Sequence, residues 1–307
     1  MKGLNKVALV AAIAAASTAQ AELVAMDDAA MSAATGQAGL TIDINSATLD
    51  IGQIAYQDQG FLNINGLSLS GAGTNNLDDI RMTVDVAGDA SNLDLGMPAL
   101  GSSYLTAGGA TVANLTETLP TIGDGDLVIT LRSQSGLPID YGLSIGDVQL
   151  AESGYASEIG GPASGTTTTL LSAATFEGNL GPIDIVIHND GGTANTMEIS
   201  AFFNVSDMGN GKGTLTLPFM NTHIGGFSLH NLRGPSVVAA GTTQDLTFAH
   251  AQMIIGQSAN GLALNLVDFS GDMDIEGISL NGAGGTSIGN LYITDLKVSA
   301  NMEVYGH

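Results

Sequence analysis

Apolar and polar residues alternate with a period of two along most of the chain, as in Leu40-Thr41-Ile42-Asp43-Ile44, and short apolar runs such as Leu127-Val128-Ile129-Thr130-Leu131 share the same β-rich character. Successive side chains of a strand point to opposite faces, so this pattern predicts sheets with one face set against a core. Clusters of Gly, Asn and Asp separate the runs and supply turn chemistry. Forty-two glycines without a collagen period fit many turns and bulges. Only Met26 to Gly36 reads as a helix, capped by Asp27 and ended by Gly36. The predicted fold is all-β: an elongated, curved antiparallel sheet or sandwich with bulged repeat strands and one short N-terminal helix. An irregular β-solenoid is the alternative.

One hexapeptide pattern recurs. Ile64-Asn65-Gly66-Leu67-Ser68-Leu69, Ile224-Gly225-Gly226-Phe227-Ser228-Leu229 and Ile275-Glu276-Gly277-Ile278-Ser279-Leu280 share it, and Asp140-Tyr141-Gly142-Leu143-Ser144-Ile145 is a looser fourth copy. In the three full copies the apolar phase slips at the glycine, which places β-bulges at Gly66, Gly226 and Gly277. Segments 106–114, 160–169 and 236–243, rich in Gly, Ser and Thr, read as exposed loops.

The N-terminus carries an export pattern. Lys2 and Lys6 precede the apolar stretch Val7 to Ala15, and Ala19-Gln20-Ala21 supplies small residues for cleavage after Ala21. The apolar stretch is shorter than the roughly 20 residues that a spanning helix requires, and no later run approaches that length. The expected organisation is a signal peptide at 1–21, a short helix and T-G-Q-A-G motif at 22–39, and a single elongated β-rich domain at 40–307. The expected destination is the periplasm, the outer surface or the exterior.

Composition narrows the functional classes. With 44% hydrophobic residues the chain has enough apolar material for a core, and with no cysteine its stability comes from packing or assembly. A formal charge of −23, with only seven Lys and Arg, leaves no basic surface for phosphates and excludes nucleic acid as a partner. Trp is absent, and eight Phe with six Tyr give little of the aromatic girdle of an outer-membrane barrel.

The stretch Met26-Asp27-Asp28-Ala29-Ala30-Met31-Ser32-Ala33-Ala34-Thr35-Gly36-Gln37-Ala38-Gly39-Leu40-Thr41-Ile42-Asp43 resembles the mature N-terminus of a group of proteobacterial secreted β-rich proteins. Thr35 to Asp43 match that group's T-G-Q-A-G-[IL]-[TS]-I-D pattern. Some members sit among pilus or filament assembly proteins of the Acinetobacter type, so the resemblance implies a surface role by association. It brings no catalytic residues.

Candidate chemistry is sparse. Gly142-Leu143-Ser144-Ile145-Gly146 and Gly285-Thr286-Ser287-Ile288-Gly289 match the G-x-S-x-G elbow of serine hydrolases, but that motif requires a sharp strand-to-helix turn. The first match lies within a repeat and strand pattern follows the second, so neither Ser144 nor Ser287 is expected to be a nucleophile. Among His188, His223, His230, His250 and His307 no pair has the spacing of a zinc site, and His223 and His230 would face opposite sides of a regular strand. The candidate Ca²⁺ ligands are Asp124 and Asp126 in one acidic turn and Asp272, Asp274 and Glu276 in another, although the latter lacks the twelfth-position glutamate of an EF-hand. Gly209 to Gly213 lacks P-loop spacing and reads as a hairpin turn.

Together these features point to a non-enzymatic, exported structural protein of the surface or exterior. It would be a pilus, filament or adhesion component that self-associates or meets other surface proteins. A glycan- or lipid-binding module is the alternative, and an exported hydrolase ranks third.

Overall fold

The computed structural model describes residues 39–73, 75–89, 92–94, 96–107, 117–152, 166–189, 196–205, 213–231 and 247–306. The expected signal peptide and N-terminal helix, His307 and most of the expected Gly209 to Gly213 turn lie outside them. Gly39–His307 form one compact unit, with no division near residue 160.

Thirteen strands form the fold among the described residues. They are β1 (Leu40–Ile44), β2 (Leu49–Gln57), β3 (Phe61–Ser70), β4 (Ile80–Val86), β5 (Leu127–Ser133), β6 (Ile139–Ala151), β7 (Thr167–Ile187), β8 (Met197–Phe203), β9 (Gly213–Leu217), β10 (Thr222–His230), β11 (Ala249–Gln257), β12 (Leu262–Ser279) and β13 (Ser287–Val304). A short helix α1 (Gly101–Ala107) lies between β4 and β5, and a 3-10 turn (Pro218–Met220) between β9 and β10. The protein is all-β. Every strand ladder is antiparallel, which sets aside a solenoid of stacked parallel strands.

Two long strands divide the sheet into two leaves. The C-terminal part of β7 lies between β5 and β8, and its N-terminal part between β6 and β9. Likewise β12 pairs with β11 through Ser270 and with β10 from Asp272 onward, while β13 follows it along both parts. The first leaf therefore runs β1-β4-β5-β7-β8-β11-β12-β13 and the second β2-β3-β6-β7-β9-β10-β12-β13. Between the two shared strands, β7-β8-β11-β12-β10-β9 closes into a ring.

The apolar faces of the leaves meet near the shared strands. Ile44 and Leu131 of the first leaf pack with Leu69 and Leu143 of the second around Leu77, Ile80, Ile139 and Tyr141. Phe203, Phe269 and Ala249 meet Phe176, Phe227, Leu229 and Met273 in a second cluster, with the Phe176 and Phe227 rings edge to face at 5.8 Å. Away from these clusters exposure rises. Leu40 and Met302 at one end and Tyr56 and Leu150 at the other are exposed although they lie on apolar faces.

Three sequence expectations change. Thr167, Thr168 and Thr169, read as loop, begin β7 and pair with Ala151, Leu150 and Gln149, because β-branched threonine suits a paired, half-buried strand. At Gly66 the register to β2 and β6 continues unshifted, so the site is not a bulge. Instead Gly66 takes a φ of 63° and Ala173 a φ of 51°, and β2, β3, β6 and β7 change apolar phase together. Gly277 also has positive φ, 62°, and lies at a register shift against β13. Gly226 has no positive φ, but it lies where β10 gains a residue against β9, between Ile224 and Phe227. His223 and His230 both reach polar partners, Thr216 and Asp274.

Candidate functional site

The first leaf has two unlike faces, and strand register sets both. Leu40, Val84, Ile129, Ile185, Ile199, Met253, Leu266 and Ala300 stand side by side from β1 to β13. A second row, from Ile42 through Met82, Leu131, Ile183, Ala201, Ala251 and Phe269 to Val298, is equally apolar. At the far end Ile187, Met197, Ile255 and Leu262 line a shallow apolar depression of about 300 Å³.

The opposite face is polar yet buried, and described residues of the segment between β4 and β5 lie against it. The Thr83 hydroxyl donates to the sulfur of Met97, Gly101 N–H donates to Asp184, and Thr118 exchanges hydrogen bonds with Gln252. Gln252 also donates to Glu198. Arg132 forms an ion pair with Asp184 at 2.5 Å, donates to the carbonyl of Ala99, and lies 4.9 Å from the ring centre of Tyr104 on α1. Burial is the largest influence on Asp184 and raises its carboxyl above the ordinary range, with Arg132 opposing.

Beside this pair, Ser200 Oγ lies 3.0 Å from His250 Nε2, and His250 Nδ1 lies 2.8 Å from Asp268 Oδ2. The Ser270 hydroxyl donates to the same Asp268 oxygen at 2.7 Å. The order Ser, His, Asp is that of a hydrolytic relay. Ser200, however, stands within β8 rather than on a strand-to-helix turn, and it is 3% exposed while His250 is fully buried. Sequence reasoning singled out His250 but neither partner, since the three are brought together only by the β8–β11–β12 ladder.

The candidates from sequence take other roles. Ser144 and Ser68 share a hydrogen bond of 2.7 Å across β6 and β3, and Ser287 opens β13, exposed, its hydroxyl oxygen accepting from Gly289 N–H. Asp126 accepts from the backbone of Gly123 and Asn189 and lies 2.9 Å from His188 Nδ1. Asp272 accepts from Asp295 N–H, Asp274 lies 3.3 Å from His230 Nε2, and Glu276 accepts from the Tyr292 hydroxyl. Asp124 is in the turn before β5. Among the described residues no group of three or more His, Asp or Glu side chains is arranged to hold a metal ion, and no helix is long and apolar enough to cross a membrane.

Residues 1–88 match a family of unknown function (DUF6160). The match runs through β4 and includes the outer strands of both leaves, β1 and β2. No curated protein and no solved structure matches the chain.

Proposed function

We propose that this chain is an exported, non-enzymatic structural protein of the cell surface or exterior, an assembling subunit of a filament or adhesive layer. The observation that carries this reading is the pair of apolar rows that cross eight strands of the first leaf and run out at both sides on β1 and β13, each paired on one side only among the described residues. A long, sparsely charged edge is a template for pairing with another chain, and a monomer normally blunts it with short strands, charge or proline. β13 has 18 residues, contains no proline and carries three charges, Asp295, Lys297 and Glu303. The export pattern and the resemblance of Thr35 to Asp43 to secreted surface proteins agree with this reading. Electron microscopy of the purified chain beginning at Glu22 tests it. Filaments or ordered sheets are expected, and uniformly dispersed particles at every concentration would overturn it.

An exported hydrolase is the second reading, favoured by the Ser200–His250–Asp268 relay alone. It requires the segment between β4 and β5 to leave the polar face, and covalent labelling of Ser200 would support it.

A further inference from the structure

The two leaves end alike. Each is eight strands wide, neighbours are antiparallel throughout, and an even number of strands leaves β1 and β13 running in opposite directions. If β13 of one copy lies beside β1 of the next, the antiparallel alternation continues unbroken.

We infer that copies of this chain assemble head to tail, the Leu296 to Ala300 part of β13 in one protomer adding to β1 of the next. The inference rests on the assembling-subunit reading and names the surface that would carry it. Three observations fix the register. The first row begins at Leu40 and ends at Ala300, and the second begins at Ile42 and ends at Val298, so continuing both rows places Ala300 opposite Leu40 and Val298 opposite Ile42. That register sets Ser299 opposite Thr41 and Lys297, the only basic residue of β13, opposite Asp43. Finally, Leu40 and Val298 are 58% and 41% exposed in the single chain, although every intervening member of their rows is at least half-buried. Adding a strand covers both.

Such a contact joins unlike surfaces. It therefore propagates rather than closing into a dimer unless the rotation between copies closes a ring. Main-chain hydrogen bonds supply the contact, as in other strand additions, and the apolar rows with Lys297 against Asp43 select the register.

The chain has no cysteine, so a disulfide reports the contact cleanly. Directly opposed residues of an antiparallel pair have Cα atoms about 4.5–5.5 Å apart, within disulfide range. The double variant Thr41→Cys/Ser299→Cys of the chain from Glu22 onward, oxidised and run on a denaturing gel, is expected to give a ladder of covalent dimers, trimers and longer species. Each single variant is expected to stay monomeric. Lys297→Glu in the double-cysteine background is expected to lower the ladder yield, by up to about fivefold for an exposed charge reversal. Filaments by electron microscopy without a ladder overturn the β1–β13 contact and leave the assembly reading standing. Efficient dimers of Ser299→Cys alone indicate a symmetric β13–β13 contact and likewise overturn it. Dispersed particles with no ladder overturn both.

Discussion

Arg132 and Asp184 form a salt bridge of 2.5 Å in which both side chains are 2% exposed. They stand on neighbouring strands, β5 and β7, and each also holds the crossing segment, Arg132 through Ala99 and Asp184 through Gly101. A buried pair is costly to break because the survivor is left charged and unsolvated. Arg132→Met is expected to destabilise by about 3–5 kcal/mol, and Arg132→Met/Asp184→Leu to recover most of that loss. Urea unfolding of the three proteins measures it. A double variant no better than the single would mean that the pair acts through the crossing segment rather than through charge compensation.

Asp126 gives the pH dependence a sign. Its burial favours the neutral acid, but hydrogen bonds from Asn189 and Gly123 N–H and contact with His188 outweigh it, so the carboxyl titrates below its ordinary value of 3.8. A lowered folded pKa contributes stability that is present above 3.8 and is lost as pH falls through the folded value. Asp126→Asn is expected to lower the melting temperature near pH 7 and to converge with the parent protein as the pH falls through the lowered folded value. A gap that stays constant over that range would assign the loss to packing alone.

The fold class was legible because alternation reports directly on strands. The expected alternation at Leu40 to Ile44 is β1, and the apolar-rich run at Leu127 to Leu131 opens β5. The polarity of the two faces was not legible. Thr83, Thr130, Asp184, Ser200 and Gln252 occupy the positions that a strand ordinarily gives to solvent, yet all are buried, and Met97, Gly101 and Thr118 of the crossing segment bond to Thr83, Asp184 and Gln252. Similarly, Ser200 and Asp268 become partners of His250 through pairings of residues 50 and 18 positions apart, which local periodicity does not encode. Gly66 was legible as a phase slip, but its meaning depended on β2, β6 and β7 slipping with it.

The Ser200 relay makes a sharp prediction about reactivity. Its geometry suits general-base activation, whereas Ser200, 3% exposed, is closed to a substrate. A fluorophosphonate probe is expected to label none of Ser144, Ser200 and Ser287 in the folded protein. Labelling of Ser200 that His250→Ala abolishes would show the relay to be catalytic and would favour the hydrolase reading.

The repeated hexapeptide acquires a physical meaning in the pairing of its copies. β3 and β6 are neighbours, and so are β10 and β12. A Cβ on Gly66 would lie 3.5 Å from the Cα of Gly146, and one on Gly277 would lie 3.5 Å from the Cα of Gly225. Both distances are ordinary contacts, so space does not demand glycine at either position. The backbone does, since φ values of 63° and 62° disfavour any residue with a branched Cβ. Gly66→Val and Gly277→Val are each expected to destabilise by about 1–3 kcal/mol. Gly52, on β2 beside Gly66, has open space around its Cβ position and no positive φ, so Gly52→Ala is expected to be neutral or to stabilise by up to about 1 kcal/mol. Thermal unfolding of the three variants separates conformational strain from loss of a small residue. Equal destabilisation at 52, 66 and 277 would remove the backbone argument, whereas loss at 66 and 277 alone would tie the repeat to the level at which the second leaf changes phase.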